Sequence, residues 1–194
     1  GAVRAAFGLA EDDVVIGKVA RLFALKGHED LFAAFARLQG AHPRARLLRV
    51  GDGSWRARLE RRARDLGIRE RCVFAGLIPH DRVADAIHAM DVVVHCSLRE
   101  GLARVLPQAL LTGRPVVSYD VDGAREVVVD GQTGRLVPPR DIDALVSALG
   151  GILAAPAPAQ RMAQAGRELC RARFDWRHMV DRLLALYAEG LEKA

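Results

Sequence analysis

Cysteine is scarce in this chain. Cys72, Cys96 and Cys170 are three in number, widely spaced, and form no C-x-x-C pair. Neither a disulfide framework nor a zinc cluster is expected from that count, and a reducing cytoplasm is the compartment it favours. Lysine is scarcer than its charge suggests: of 29 basic residues only Lys18, Lys26 and Lys193 are lysines, which leaves 26 arginines. No uninterrupted apolar run reaches the roughly 18 residues that a membrane-spanning helix needs. The N-terminal stretch carries Glu11, Asp12 and Asp13 where a signal peptide would be apolar. A G-x-x-x-x-G-K-[ST] loop is also missing, which argues against a P-loop nucleotide site.

What is present is a core-building composition. Of 194 residues, 51% are hydrophobic and 27% are charged, which is enough for one globular domain and excludes a disordered chain. The net charge of +5 is mild. An arginine- and alanine-rich composition of this kind points to GC-rich coding more than to a nucleic-acid ligand, and no nucleic-acid partner is expected.

Short β-branched runs alternate with amphipathic stretches. Val14–Ala20, Ala45–Val50, Cys72–Ala75, Asp91–His95 and Pro115–Tyr119 read as strands, with Leu136–Val137 a weaker sixth. They are apolar on both faces, as strands covered by helices on both sides must be. Helical patterns occupy His28–Leu38, Ser54–Leu66, Arg82–His88, Val105–Leu111 and Ile142–Leu153. A terminal helix is predicted from about Trp176 to Leu191, with Asp175 as its N-cap. Ala154–Ala159 (AAPAPA) reads as a Pro/Ala linker before the final helices. The alternation predicts an α/β domain, a Rossmann-like doubly wound parallel sheet of about six strands. In such sheets ligands bind at the carboxyl ends of the strands, where the strand order reverses.

The loops at those ends carry the chemistry. After the first strand, Arg21 and Lys26 offer an arginine fork and a lysine point charge, a pair suited to a diphosphate. After the second comes Val50-Gly51-Asp52-Gly53-Ser54, where glycines allow a tight turn and Ser54 is a potential helix cap. It is not the G-x-G-x-x-G fingerprint, because Arg56 stands at the third glycine position, so a nicotinamide cofactor is not expected. After the fourth strand the run HCSLREGLARVLPQA (His95–Ala109) places Glu100 and Gly101 just before a helix. Pro107 fits only a first turn, which puts the helix start near Arg104. Free amides there form an anion site, and a carboxylate beside it suits sugar hydroxyls.

Three other features have plainer readings. Asp120-Val121-Asp122 and Asp141-Ile142-Asp143 both match D-x-D, but the second lies at a helix start where Asp is ordinary capping chemistry, and no metal site is expected. Helix Ser54–Leu66 and its exit carry Arg56, Arg58, Arg61, Arg62, Arg64, Arg69 and Arg71. With Trp55, Leu59, Ala63 and Leu66 forming an apolar stripe, this reads as a solvated outer face rather than a phosphate or lipid surface. His95 and Cys96 have the composition of a Cys–His nucleophile but lack a third partner, and as strand-end neighbours they read as buried side chains.

The ordered series Arg21 with Lys26-Gly27, Val50-Gly51-Asp52-Gly53, Phe74-Ala75-Gly76, Ser97 with Glu100-Gly101, Gly113-Arg114-Pro115-Val116-Val117, Glu126, and Asp130-Gly131 with Thr133-Gly134 and Leu136-Val137 resembles the C-terminal domain of the large retaining GT-B glycosyltransferase family. The resemblance runs from about Val14 to Val180. It implies one half of a GT-B architecture: residues 1–13 as interdomain linker, 14–153 as the nucleotide-sugar-binding domain, and 154–194 as helices crossing back to an N-terminal acceptor domain.

It also implies roles. Arg21 and Lys26 match the diphosphate-binding pair, and Glu100 matches the first carboxylate of E-x7-E, which contacts donor-sugar hydroxyls. Gly101, Leu102, Ala103 and Arg104 match the segment whose amides meet sugar and diphosphate. The loop around Leu77 and Ile78 matches the segment that reads the base mainly through backbone groups, while Glu126 has no assigned role. The second glutamate of E-x7-E is Gln108 here, which implies weaker ribose binding because a neutral hydrogen bond replaces a charge-assisted one. Ala103 and Asp122 stand where glycine is frequent, and His95-Cys96-Ser97 replaces the usual Pro-Ser.

The reaction implied is metal-independent transfer of a sugar, with retention, from a UDP- or GDP-linked donor, in carbohydrate or cell-envelope biosynthesis. No cofactor beyond that donor is implied. The chain is expected to bind nucleotide without catalysing transfer, and the full-length enzyme to be cytoplasmic, with peripheral association at the inner membrane face compatible with the resemblance. The competing readings are a sugar-nucleotide epimerase of GT-B build and a non-catalytic domain that holds nucleic acid or an anionic surface.

Overall fold

The computed structural model describes residues 1–192; Lys193 and Ala194, the end of the expected 154–194 segment, lie outside the described residues. Six strands form one sheet: β1 (Val14–Val19), β2 (Ala45–Val50), β3 (Cys72–Gly76), β4 (Val92–His95), β5 (Val116–Tyr119) and β6 (Arg135–Val137). Their order is β3-β2-β1-β4-β5-β6, and every adjacent pair is parallel. The chain winds outward from β1 to β3, returns to the other side of β1 with β4, and winds outward again. This is the doubly wound Rossmann-like α/β fold, and it sets the switch point between β1 and β4.

The helices are α1 (Ala2–Ala6), α2 (His28–Leu38), α3 (Arg56–Asp65), α4 (Val83–His88), α5 (Val105–Leu111), α6 (Ile142–Ala154), α7 (Pro156–Arg173) and α8 (Trp176–Glu192). Two cores follow from the period-two alternation of the strands. On one face Ile16, Leu47, Val92, Val94 and Val117 pack with Phe32 and Phe35 of α2 and Leu145 and Leu149 of α6. On the other, Val15, Leu48, Val93 and Val116 pack with α4 and α5 residues such as Ile87, Leu106 and Leu110. Helix α7 closes the second face through Gly166, where a Cβ would lie 2.6 Å from a Leu110 methyl group.

Strand and helix bounds differ from the pattern reading by a residue or two at most of the ends. Two differences have a physical cause. The Pro/Ala stretch is not a linker: α7 begins at Pro156, leaving Ala155 alone between helices. Pro156 and Pro158 sit in the first turn, where their missing N–H groups remove no intrahelical bond. Ser54 does not cap α3, which begins at Arg56 with Trp55 at the N-cap and no side-chain cap bond. The other two expected caps are present: Asp141 Oδ1 accepts from Ala144 N at 2.8 Å and Asp175 Oδ1 from Arg177 N at 2.9 Å.

The first thirteen residues include the short helix α1 and are tied to the sheet. Arg4 donates to both carboxylate oxygens of Asp91, at 2.8 and 2.9 Å, and to the carbonyls of Glu11 and Asp13. At the other end α8 is amphipathic and stands clear of both cores: Trp176, Met179, Leu183, Leu184, Leu186 and Tyr187 are exposed. Among the described residues no single helix is long and apolar enough to cross a membrane.

Candidate functional site at the β1–β4 switch point

The loop leaving β1 is held from beneath by buried polar groups. Lys18 and Arg49 lie inside the strands, each 1% exposed, and neither pairs with a carboxylate among the described residues. Arg49 is sandwiched against aromatic faces, its guanidinium 5.2 Å from the Phe32 ring centre and 5.9 Å from that of Phe74. Its Nη2 donates to His28 Nδ1 at 2.7 Å. That bond leaves His28 Nε2 as the protonated nitrogen, and it donates to the carbonyl of Arg21 at 2.8 Å. Burial, reinforced by the Arg49 and Lys18 charges, pulls His28 down to about 2, so the ring is neutral.

Lys18 is pulled below the ordinary lysine range by burial. Its Nζ donates to Cys96 Sγ at 3.1 Å, and the Cys96 thiol donates in turn to the Gly27 carbonyl at 2.8 Å. Gly27 has φ +60°, and a Cβ there would lie 1.8 Å from the Cys96 carbonyl oxygen. Only glycine fits at this crossing of the β1 and β4 loops. A backbone bond from Leu98 N to Leu25 O, 2.8 Å, joins the same two loops.

Above this support, Lys26 forms an ion pair with Glu100. The position of Glu100 is fixed from the β5 side. Its backbone N–H donates to Asp122 Oδ2 at 2.6 Å, and Asp122 adopts φ +46° to reach it. Gly123 N donates to Gly101 O at 3.1 Å, an approach so close that a Cβ on Gly123 would be 2.8 Å from that oxygen. Beyond Gly101 the chain turns into α5 with Arg104 at its N-cap and Pro107 in the first turn, as the proline predicts. Among the described residues, the amides of Gly101 through Val105 donate to no protein acceptor.

These groups face one open depression of about 470 Å³ at the carboxyl ends of β1 and β4. The structure brings Arg21, Lys26, Glu100, Leu102, Ala103, Arg104 and Gln108 together on its walls, joined by His80, Val83, His95 and Ser97. Gly101 adjoins it. Leu77 and Ile78 do not line it: Leu77 is 78% exposed and Ile78 packs against the second core. The same loop after β3 reaches the depression just beyond them, at His80 and Val83. A larger depression of about 690 Å³ lies away from the switch point, between Glu126 and residues of α7 and α8 such as Arg173 and Arg182.

His95 and Cys96 do not form a nucleophilic pair. As adjacent strand residues they point to opposite faces: Cys96 bonds Lys18 and Gly27, while His95 Nδ1 lies 3.0 Å from Ser118 Oγ. Four of the seven arginines on and after α3 have partners among the described residues. Arg56 meets Glu60 and Asp52, Arg58 meets Glu29 and stacks on Trp55 at 4.3 Å, and Arg69 and Arg71 bond the carbonyls of Cys72 and Pro43. Among the described residues no three His, Cys, Asp or Glu side chains converge as metal ligands.

The roles of Lys18, His28 and Arg49 escaped the reading of the sequence, and Asp122 was noted only as a departure from glycine. For Lys18 and Arg49 a signal existed: each is a cation at an inward position of a strand otherwise apolar on both faces. For Asp122 the signal was its place where glycine is frequent, which fits its left-handed backbone.

Residues 2–169 match the profile of the family described as Glycosyl transferases group 1. The GDP-mannose-dependent alpha-(1-6)-phosphatidylinositol monomannoside mannosyltransferase of Mycolicibacterium smegmatis is 37% identical over 192 residues, covering 95% of this chain and 50% of that protein. Among solved structures, sucrose-phosphate synthase from Thermosynechococcus elongatus superposes with a TM-score of 0.90 at 32% identity, over 99% of this chain and 49% of that one. Anabaena HepE in complex with UDP and glucose gives 0.88 at 26% identity, over 96% of this chain and 51% of that one. The chain thus spans about half the length of the relatives it matches.

Proposed function

Because the chain belongs to the Glycosyl transferases group 1 family, we propose that it is the donor-binding half of a two-domain glycosyltransferase. In this reading a nucleoside diphosphate sugar lies across the carboxyl ends of β1 and β4. The observation that carries it is the convergence of Lys26 and Glu100, two opposite charges from separate loops, beside five consecutive unpaired amides.

The chemistry follows from what each group can do. Breaking the glycosidic bond leaves negative charge on the nucleoside diphosphate. Arg21 offers a planar fork of donors to it, and Lys26 a compact charge with three N–H donors, so that one can stay on Glu100 while another meets a phosphate oxygen. The amides of residues 101–105, which donate to no protein acceptor among the described residues, add neutral donors. Such groups act best on charge that grows in the transition state, because they are oriented before the reaction begins. Glu100, an acceptor only, takes hydrogen bonds from sugar hydroxyls, and Gln108 on α5 faces the ribose. With the departing diphosphate met by side-chain cations and amides, the transfer is metal-independent, and it proceeds with retention on the face of the leaving group.

The donor is a UDP- or GDP-linked sugar. The HepE structure holds UDP and the mannosyltransferase relative depends on GDP-mannose. The acceptor binds on the other half, against which the exposed apolar side of α8 packs. Saturation-transfer NMR of this chain with UDP-glucose, GDP-mannose and ADP-glucose tests the reading. Binding of at least one, with no transfer by the chain alone, is the expected result. Binding to none, transfer by the chain alone, or salt-sensitive DNA binding in place of nucleotide binding contradicts it.

A further inference from the structure

His95 is placed as few buried histidines are. It is the last residue of β4, its side chain is 5% exposed, and it lines the depression at the switch point. Its Nδ1 lies 3.0 Å from Ser118 Oγ, and the Ser118 hydroxyl spends its only hydrogen on the Tyr119 carbonyl, 2.9 Å away. Ser118 Oγ can therefore only accept from the imidazole, which puts the ring proton on Nδ1. Nε2 is left as a bare lone pair. Among the described residues it has no hydrogen-bond partner although it is buried, and buried acceptors without partners are uncommon enough to need an explanation.

Nε2 is aimed at Glu100, with Oε1 4.0 Å away. Two acceptors cannot bond each other, and the ring does not take up a proton to resolve the conflict. Burial, with the Lys18 and Lys26 charges, pulls His95 down to about 3. The arrangement is a pair of acceptors, one neutral and one anionic, with a gap between them that only donors can fill. Neighbouring hydroxyls on one sugar ring are such donors. A phosphate oxygen, an acceptor itself, is repelled.

We infer that His95 is a sugar-binding residue: its Nε2 accepts a hydrogen bond from a hydroxyl of the donor sugar, beside the hydroxyl taken by Glu100. This rests on the nucleotide-sugar reading of the site and adds to it a residue whose contact is with the sugar alone, not with the nucleotide. Ser118 is the positioning residue that fixes the tautomer. The residue types are specific: the contact requires a hydroxyl donor, so the site selects a polyhydroxylated ring over a deoxygenated one.

The two halves of the claim are read separately. Calorimetric titration of the chain with UDP and UDP-glucose, and with GDP and GDP-mannose, gives for each pair the extra affinity that the sugar supplies. His95→Asn keeps a donor toward Ser118 but withdraws the Nε2 acceptor, and is expected to reduce that extra affinity by about 3- to 10-fold, as for a lost hydrogen bond. Free UDP or GDP binding stays unchanged. His95→Gln, which restores an acceptor at the Nε2 distance, recovers most of the loss. Long-range ¹⁵N–¹H spectra of the unmutated chain, which do not depend on a variant folding, are expected to show the Nδ1–H form and a shift of the Nε2 resonance with the sugar nucleotide but not with the free nucleotide. Equal weakening of nucleotide and sugar nucleotide by His95→Asn, no weakening of either, or an Nε2–H tautomer overturns the role of His95 while leaving the nucleotide-sugar reading in place. Absence of all nucleotide binding by the unmutated chain overturns both.

Discussion

Lys26 and Glu100, seventy-four residues apart in sequence, meet as an ion pair across the β1–β4 switch point. The pair is partly exposed, with side chains 16% and 28% accessible, so its net contribution to stability is small, about 0–1 kcal/mol. Its value is in placing a cation and an anion within one ligand's length. Lys26→Ala is expected to weaken UDP or GDP binding by about 10- to 100-fold, the range for a hydrogen bond to a charged group. Glu100→Gln should leave nucleotide binding intact and weaken sugar-nucleotide binding by roughly tenfold. Titration calorimetry on both variants checks this, and unchanged thermal midpoints would exclude a folding defect as the cause.

The support beneath the loop is open to a backbone test. Gly27→Ala adds a methyl group to a residue at φ +60°, directly onto the Cys96 carbonyl. Left-handed strain and overpacking together predict a loss of about 2–5 kcal/mol. Gly131, at φ +72° with open space where a Cβ would go, is the control: its alanine variant should lose only about 1–2 kcal/mol. Urea unfolding midpoints give the comparison, and equal losses would contradict the crossing of the two loops at Gly27.

Two buried histidines make stability fall on mild acidification. His28 is lowered to about 2 and His95 to about 3, both chiefly by burial, against about 6.5 in the unfolded chain. A base whose folded pKa is depressed binds fewer protons folded than unfolded below pH 6.5. Stability is therefore full above that pH and is lost as pH falls from 6.5 toward 3. Between pH 7 and pH 5 the loss is about 2 kcal/mol for each histidine. His95→Asn removes its share, so the variant should show about half the pH sensitivity in urea midpoints; identical sensitivity in variant and parent would contradict a neutral buried His95.

Gln108 stands on the α5 wall of the depression, and among the described residues its side-chain amide has no protein partner. Gln108→Glu replaces a neutral acceptor by a charged one at the place where the proposed donor's ribose would lie. Nucleotide affinity is expected to rise by about 3- to 10-fold. A fall, or no change, would remove Gln108 from the ribose site.

The architecture was legible because it rests on local patterns. Val14–Val19 and Val92–His95 are apolar on both faces, and α2 and α5 carry amphipathic periods with the bounds the sequence predicts. Asp141 and Asp175 announce their helix starts. The Pro/Ala stretch misled, since Pro156 is a helix start as readily as a linker. In the site, Arg21, Lys26, Glu100 and Gln108 were found by charge, spacing and resemblance. What holds them was not, because it is made by contacts distant in sequence. Asp122 reaches Glu100 through a left-handed turn, and His28 links Arg21 to Arg49 through its two ring nitrogens. His95 and Cys96 read as buried strand-end side chains and are so, but the unpartnered Nε2 of His95 had no mark in the sequence. Leu77 and Ile78 were assigned through resemblance alone, for their backbone groups; their side chains do not line the depression, although His80, just after them in the same loop, does.

In the proposed donor complex one ligand bridges the loops after β1 and β4. Amide-resolved NMR titration of the isotope-labelled chain with UDP-glucose and GDP-mannose tests it most directly. A bound donor is expected to perturb Arg21 and Lys26 together with the contiguous amides of Gly101–Val105. Perturbations confined to the α3 arginine face or to α8, or none with either donor, would contradict it.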